Sequence, residues 1–182
     1  TTHLQLIQFW YSGFWELLSF AMQMVLIVVT GEAIAESPFA QKLIKKFSRL
    51  PRSQASAICA LTFFSILLGW LHWGFGLVFS SLAARSLGQS LSDRKIAVHY
   101  PILATSAYMS MLLWHAGTTA SAPLLINTPG HFLEKEIGLI PLSETIFSHT
   151  NFIVCGGLLF FIPILIYQLS PKQSLHYKGK SL

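Results

Sequence analysis

The chain has 182 residues, 53% of them hydrophobic and 10% charged, with a mean hydropathy of +0.57. Soluble domains carry about 25% charged residues, so this composition excludes a water-soluble globular protein and predicts an all-α integral membrane protein. The net charge of +5 would suggest a nucleic-acid partner in a soluble protein. Here the basic residues gather between apolar blocks and report orientation instead, and no nucleic-acid partner is expected.

Four apolar blocks stand out, at about residues 14–36, 55–86, 100–128 and 150–169, each as long as the ~20 residues a bilayer requires. Before them, residues 1–13 (TTHLQLIQFWYSG) read as an interfacial segment, with Trp10 and Tyr11 in an aromatic belt at the outer surface. No basic n-region or cleavage pattern marks a signal peptide. The start without Met and the polar end are those expected of a piece of a longer chain. The first span, 14–37, is expected to run from outside to inside. Gln23 sits near its middle, where an amide either lines a pathway or bonds a neighbouring helix. Glu32 and Glu36 fall at the inner end, where interfacial water solvates them. Cys59 and Cys155 both lie in apolar blocks, with no spacing that suggests a disulfide framework or a zinc site.

The second block is too long for one crossing. Thirty-two helical residues would run ~48 Å, against a ~30 Å hydrocarbon core. Charge decides the alternative. If 55–86 spans once, the twelve Lys and Arg divide evenly between the two sides. If it is re-entrant, loops 38–54 and 87–99 and the tail 170–182 share one face with Arg85, and eleven basic residues oppose the single Lys135. The positive-inside rule selects the second arrangement, with those loops and the tail cytoplasmic. The turn is then expected at His72–Gly76, with glycine supplying backbone freedom. The competing arrangement is one long tilted helix, with Gly69, Trp73 and Gly76 as a contact face.

The third block, 100–128, changes character midway. Tyr100–Trp114 reads as helix, with Pro101 in its first turn. His115-Ala116-Gly117-Thr118-Thr119-Ala120-Ser121 is small, hydroxyl-rich and poor in helix formers. Ser121 and Pro123 then provide a hydroxyl cap and a first-turn proline. A second half-helix is expected to about Asn127, ended by Thr128-Pro129-Gly130. A continuous kinked helix with hydroxyl back-bonding is the simpler alternative. Loop 129–149 is acidic and outward. The last block, 150–169, with Gly156, Gly157 and Pro163, reads as a plain scaffold span.

A hairpin followed by a broken helix is a construction of secondary transporters, whose sites lie near the midplane and whose repeats come in inverted pairs. One copy is present, which predicts half of an inverted-repeat, ion-coupled carrier: three transmembrane helices, one broken near 115–121, plus a re-entrant hairpin at 55–86. No Lys or Arg lies deep in these blocks, so an anion would rely on backbone N–H groups and hydroxyls. The candidate substrate-binding residues are His72, Trp73, Gly74, Gly76, His115, Gly117, Thr118, Thr119 and Ser121. A coupling ion would find oxygens at Thr118, Thr119, Ser121 and Asn127. The hydroxyls could equally serve only as helix caps, and the histidines could equally bond loop carbonyls. There is no Ser-His-Asp pattern and no HExxH, so no enzyme activity is expected.

Four stretches carry a family resemblance. GFWELLSFAMQMVLIVVTGEAIA (13–35), HWGFGLVFSSLAAR (72–85), YPILATSAYMSMLLWHAGTTASAPLLINTPGH (100–131) and GLIPLSETIFS (138–148) resemble, in order and spacing, the bacterial short-chain fatty acid transporter family. The resemblance implies uptake of acids such as acetoacetate and butyrate across the bacterial cytoplasmic membrane, coupled to H⁺ or Na⁺, without a cofactor. It places this chain in the N-terminal half, lacking the first span. Trp73–Gly76 becomes the hairpin tip and Gly117–Pro123 the unwound segment. The implied partners are a short-chain carboxylate, the lipid bilayer and the C-terminal half of the same carrier, with a homodimer left open. Trp114-His115-Ala116-Gly117 is bulkier than the glycine-rich family stretch, which leaves the choice of acid open. A transporter of another small carboxylate, or a non-transporting scaffold or subunit, would share these features.

Overall fold

A computed structural model of the chain describes residues 3–171 apart from Phe132. The side chain of Gln23 and the tail lysines Lys172, Lys178 and Lys180 lie outside the described residues, with residues 1 and 2. The described part is helical, in the order α1 (His3–Glu36), α2 (Pro38–Arg49), α3 (Gln54–Leu71), α4 (Trp73–Asp93), α5 (Tyr100–Tyr108), α6 (Ser121–Ile126), α7 (Glu134–Ile137) and α8 (His149–Gln168). Short 3-10 turns occupy Met109–Met111, Trp114–Ala116 and Leu142–Glu144. Among the described residues, α3 and α8 are long and apolar enough to cross a membrane.

α1 runs unbroken through 34 residues, about 50 Å at ~1.5 Å per residue. The expected boundary after residue 13 falls inside this continuous helix. The segment expected as loop 38–54 folds mostly as α2. Ser37 caps it, its hydroxyl accepting from the Ala40 N–H at 3.2 Å, Pro38 occupies the first turn, and Lys46 and Arg49 stand in the last. Ala40, Ile44 and Ser48, one turn apart, are buried, while Lys42, Lys45, Lys46 and Arg49 are exposed. Gly31 of α1 meets the first turn of α4, and the Arg94 guanidinium beyond its last turn donates to the Ser48 and Arg49 carbonyls at 3.4 Å each. The end of α1 and then α2 thus run beside α4 from one end to the other.

α3 and α4 fold back on each other about one residue. His72 is extended (φ −159°, ψ 107°), a conformation open to any side chain. Gly74 and Gly76 are helical within α4 and do not make the turn. This corrects the expectation that glycine frees the backbone there. Their value is close approach: a Cβ on Gly76 would lie 2.6 Å from the Gly69 nitrogen, and one on Gly69 would lie 1.8 Å from the Ser110 carbonyl oxygen. In lipid, where burying apolar side chains gains little, such backbone contact is a principal source of packing energy. Ile58, Leu61, Phe79, Ala83 and Leu87 fill the seam between the arms.

α4 continues to Asp93, so the expected loop 87–99 shrinks to residues 94–99. It ends in a Schellman closure. Lys95 takes φ +57°, its N–H donates to Ser92 O at 2.9 Å, and the Ile96 N–H donates to Leu91 O at 2.8 Å. The third block is interrupted, but earlier than expected. α-Helix stops at Tyr108 rather than Trp114, because Met109–Met111 tightens into 3-10 geometry where its backbone presses on Gly69. α6 restarts at Ser121, yet its N-cap is Ala120 with no side-chain cap bond. The expected serine cap is absent.

Candidate functional site

A helix end leaves backbone groups unpaired, and at membrane depth each unpaired group costs several kcal/mol. At the hairpin tip, α3 ends with free carbonyls and α4 begins with free N–H groups. The broken helix supplies most of the partners. The Thr118 N–H donates to Trp70 O at 2.9 Å, and the Thr118 hydroxyl donates to Leu71 O. The Trp73 N–H donates to Thr119 Oγ1 at 3.3 Å, and the Phe75 N–H donates to His72 Nδ1 at 3.2 Å. Gly117 permits this docking: a Cβ there would lie 2.2 Å from Trp70 O. The unwound segment is pinned from its other side by α8. Asn151 Nδ2 donates to Ala116 O at 2.9 Å and to Ile146 O at 2.7 Å.

The pairing is uneven. The tip carbonyls of Trp70 and Leu71 are taken, whereas two donors are not. The Gly74 N–H has no acceptor among the described residues, and the buried indole N–H of Trp73 has none either. The Trp73 ring meets Trp114 edge-on at 5.3 Å between centroids, and Trp114 lies 4.1 Å from His115. A cavity of about 260 Å³ adjoins the tip, lined by Thr30, Gly31, Ile34, His72 and Phe75. Because His72 Nδ1 accepts from Phe75, the neutral ring carries its proton on Nε2. Donors without acceptors, at the first turn of a 21-residue helix, suit a negatively charged or carbonyl oxygen.

The structure therefore brings His72, Trp73, Gly74, Gly76, Gly117, Thr118 and Thr119 into one junction. His115 is exposed and joins it only through the Trp114 ring. Ser121 and Asn127 are exposed on the six-residue α6 and are not drawn in with Thr118 and Thr119. Both threonine oxygens already serve as helix caps. Among the described residues no cluster of three His, Cys, Asp or Glu could hold a metal. Three contributors stand outside the sequence candidates. Asn151 and Trp70 act across long sequence separations. Gly31 abuts the tip, where a Cβ would lie 3.1 Å from Gly74 C and Phe75 N.

The family described as short chain fatty acid transporter matches residues 1–178. The chain is 35% identical over 173 residues to a protein of Escherichia coli (strain K12), covering 95% of this chain and 38% of that protein. It is 34% identical over 180 residues to one of Haemophilus influenzae (strain Rd), covering 95% of this chain and 39% of that protein. Both relatives are named "Putative short-chain fatty acid transporter". The chain thus spans less than two fifths of the length of these curated relatives. No solved structure matches it.

Proposed function

Because this chain belongs to the short chain fatty acid transporter family, we propose that it forms part of a secondary carrier moving small monocarboxylates across the bacterial cytoplasmic membrane with H⁺ or Na⁺. One observation carries the reading: the hairpin tip keeps spare donors and no spare carbonyl of Trp70 or Leu71. In this reading a carboxylate at the 260 Å³ cavity, which His72 and Phe75 line, would accept from His72 Nε2, and would reach the adjacent Gly74 N–H and Trp73 indole, which do not line it, as the hairpin shifts in the transport cycle. The alkyl group would rest against Ile34 and Phe75. Transport in this reading is alternating access, with the hairpin and the broken helix closing round the acid while the missing part of the carrier supplies the opposing half.

The topology proposed with it has α1, α8 and the 100–128 segment as spans and α3–α4 entering and leaving by the cytoplasmic face. The exposed basic residues of α2 and the Arg94–Lys95 corner, all at the base of the hairpin, support that orientation. The test is uptake of labelled butyrate and acetoacetate by cells lacking native acid uptake and expressing the full-length carrier. Trp73→Phe keeps the ring and removes the indole donor. Its expected effect is a KM for butyrate raised about threefold to tenfold, the worth of one hydrogen bond. Absence of saturable uptake by well-expressed wild type would remove the assignment.

A further inference from the structure

A larger cavity, of about 410 Å³, lies between α2 and the hairpin arms. Leu43, Lys46 and Leu50 stand at the α2 side, and Leu61, Phe64 and Phe79 make the apolar walls. Ser65 of α3 and Ser80 of α4 also line it, at 0% and 1% exposure, and neither hydroxyl has a hydrogen-bond partner. Serines in helices normally return their proton to the carbonyl one turn back, as Ser81 and Ser106 do here. Two buried hydroxyls left open in one apolar cavity are an unmet hydrogen-bonding demand. Phe75 lines both this cavity and the one at the hairpin tip, so one residue borders the two.

Resting on the carrier reading above, we propose that this cavity is a second acid site, and that it takes the short-chain acid in its neutral, protonated form. The chemistry follows from the walls. A carboxylate here would be stripped of water with no counter-charge in reach, since Lys46, the one charged residue of the lining, is exposed on the helix surface. A carboxylic acid group carries one donor and one acceptor, matching two hydroxyls that can each give and receive. The alkyl chain fits the apolar remainder. Lys46 at the mouth gathers the anion from water, and the acid sheds its charge by taking up a proton before it settles on Ser65 and Ser80. The coupling proton in this arrangement travels on the substrate, and Phe75 borders both this waiting position and the tip cavity.

The test uses the full-length carrier with Cys59 and Cys155 replaced by alanine and Leu68→Cys, at a half-buried lining position that gives the acid no hydrogen bond, as a reporter. Labelling by a small uncharged thiol reagent is measured with and without butyrate, as a ratio at each pH. Between pH 5 and pH 8 the neutral fraction of a carboxylic acid falls about a thousandfold. Butyrate is expected to protect Leu68→Cys at pH 5 and not at pH 8 at the same total concentration. Ser65→Ala is expected to raise the protecting concentration about threefold to tenfold, and Ser65→Leu, which fills the cavity, to abolish protection. Equal protection at both pH values overturns the neutral form. No protection at either pH, in a carrier that still takes up butyrate, overturns the site and leaves the carrier reading standing. Absent uptake by the well-expressed wild type removes the carrier reading itself.

Discussion

Gly117→Ala is the sharpest probe of the junction between hairpin and break. The new methyl carbon would sit 2.2 Å from Trp70 O and 2.9 Å from Trp70 C and Cα. All three are backbone atoms, so no side chain can swing aside. Relief to ordinary contact near 3.4 Å requires the unwound segment to withdraw from the tip by more than 1 Å. Overpacking of this kind costs about 1–3 kcal/mol. Withdrawal also stretches the Thr118 N–H bond to Trp70 O from 2.9 Å and that of the Trp73 N–H to Thr119 Oγ1 from 3.3 Å. Each buried group left unpaired adds about 1–3 kcal/mol. Full loss of both bonds would bring the sum to about 3–9 kcal/mol; because the bonds lengthen rather than break, the expected destabilisation is at the lower end, about 3–5 kcal/mol. For a domain of this size that corresponds to a fall of roughly 6–20 °C in midpoint, at about 2–4 °C per kcal/mol. Fluorescence-detected size exclusion of heated, detergent-solubilised protein reads the midpoint, and butyrate uptake reads the consequence for transport. Gly157→Ala is the control, since nothing lies within 4 Å of a Cβ there. A Gly117→Ala midpoint within about 2 °C of wild type, less than a 1 kcal/mol effect would produce, would refute the docking of the break on the tip.

Substitutions at three further positions test neighbouring parts. Asn151→Asp replaces two amide donors by an acceptor facing the Ala116 and Ile146 carbonyls, and is expected to cost about 2–4 kcal/mol, visible in the same thermal assay, while Asn151→Gln recovers part of it. Lys95→Gly relieves a side chain held at φ +57° and is expected to stabilise by about 1 kcal/mol, with uptake unchanged. Gly31→Ala needs a shift of only a few tenths of an ångström at Gly74 and Phe75 and is expected to be tolerated. Gly31→Leu fills the tip cavity and is expected to abolish uptake while the protein still reaches the membrane.

The fold-back near residue 72 is legible because two independent properties converge on it: an apolar block too long for one crossing, and a charge distribution that becomes one-sided only if that block returns. The interruption of the third block is legible from the run Gly117-Thr118-Thr119. Its onset at Tyr108 is not, because it is set by Ser110 pressing on Gly69, a contact that no local pattern announces. α2 hides behind its charges. Five basic residues between 42 and 52 read as loop, although Ser37-Pro38 and the 40, 44, 48 spacing carry a helix start and a buried stripe. Asn151 sits in the first turn of a segment that reads as plain scaffold, and its role depends on a carbonyl 35 residues away. The glycines at 74 and 76 are noticed for a correct reason in general and a wrong one here: they matter for what they touch, not for the angles they allow.

The long sequence separation at the tip has a consequence for biosynthesis. The partners of Trp73 and Leu71 lie 46 and 47 residues further along the chain. At about 5–20 residues per second of synthesis, the completed hairpin waits roughly 2–10 s before Thr118 and Thr119 emerge. Through that interval its tip carries open backbone groups that hydrocarbon will not tolerate. In the proposed re-entrant topology the nascent hairpin would have to be kept wet, inside the insertion machinery or at the aqueous surface, until the segment around residue 118 arrives to seal it.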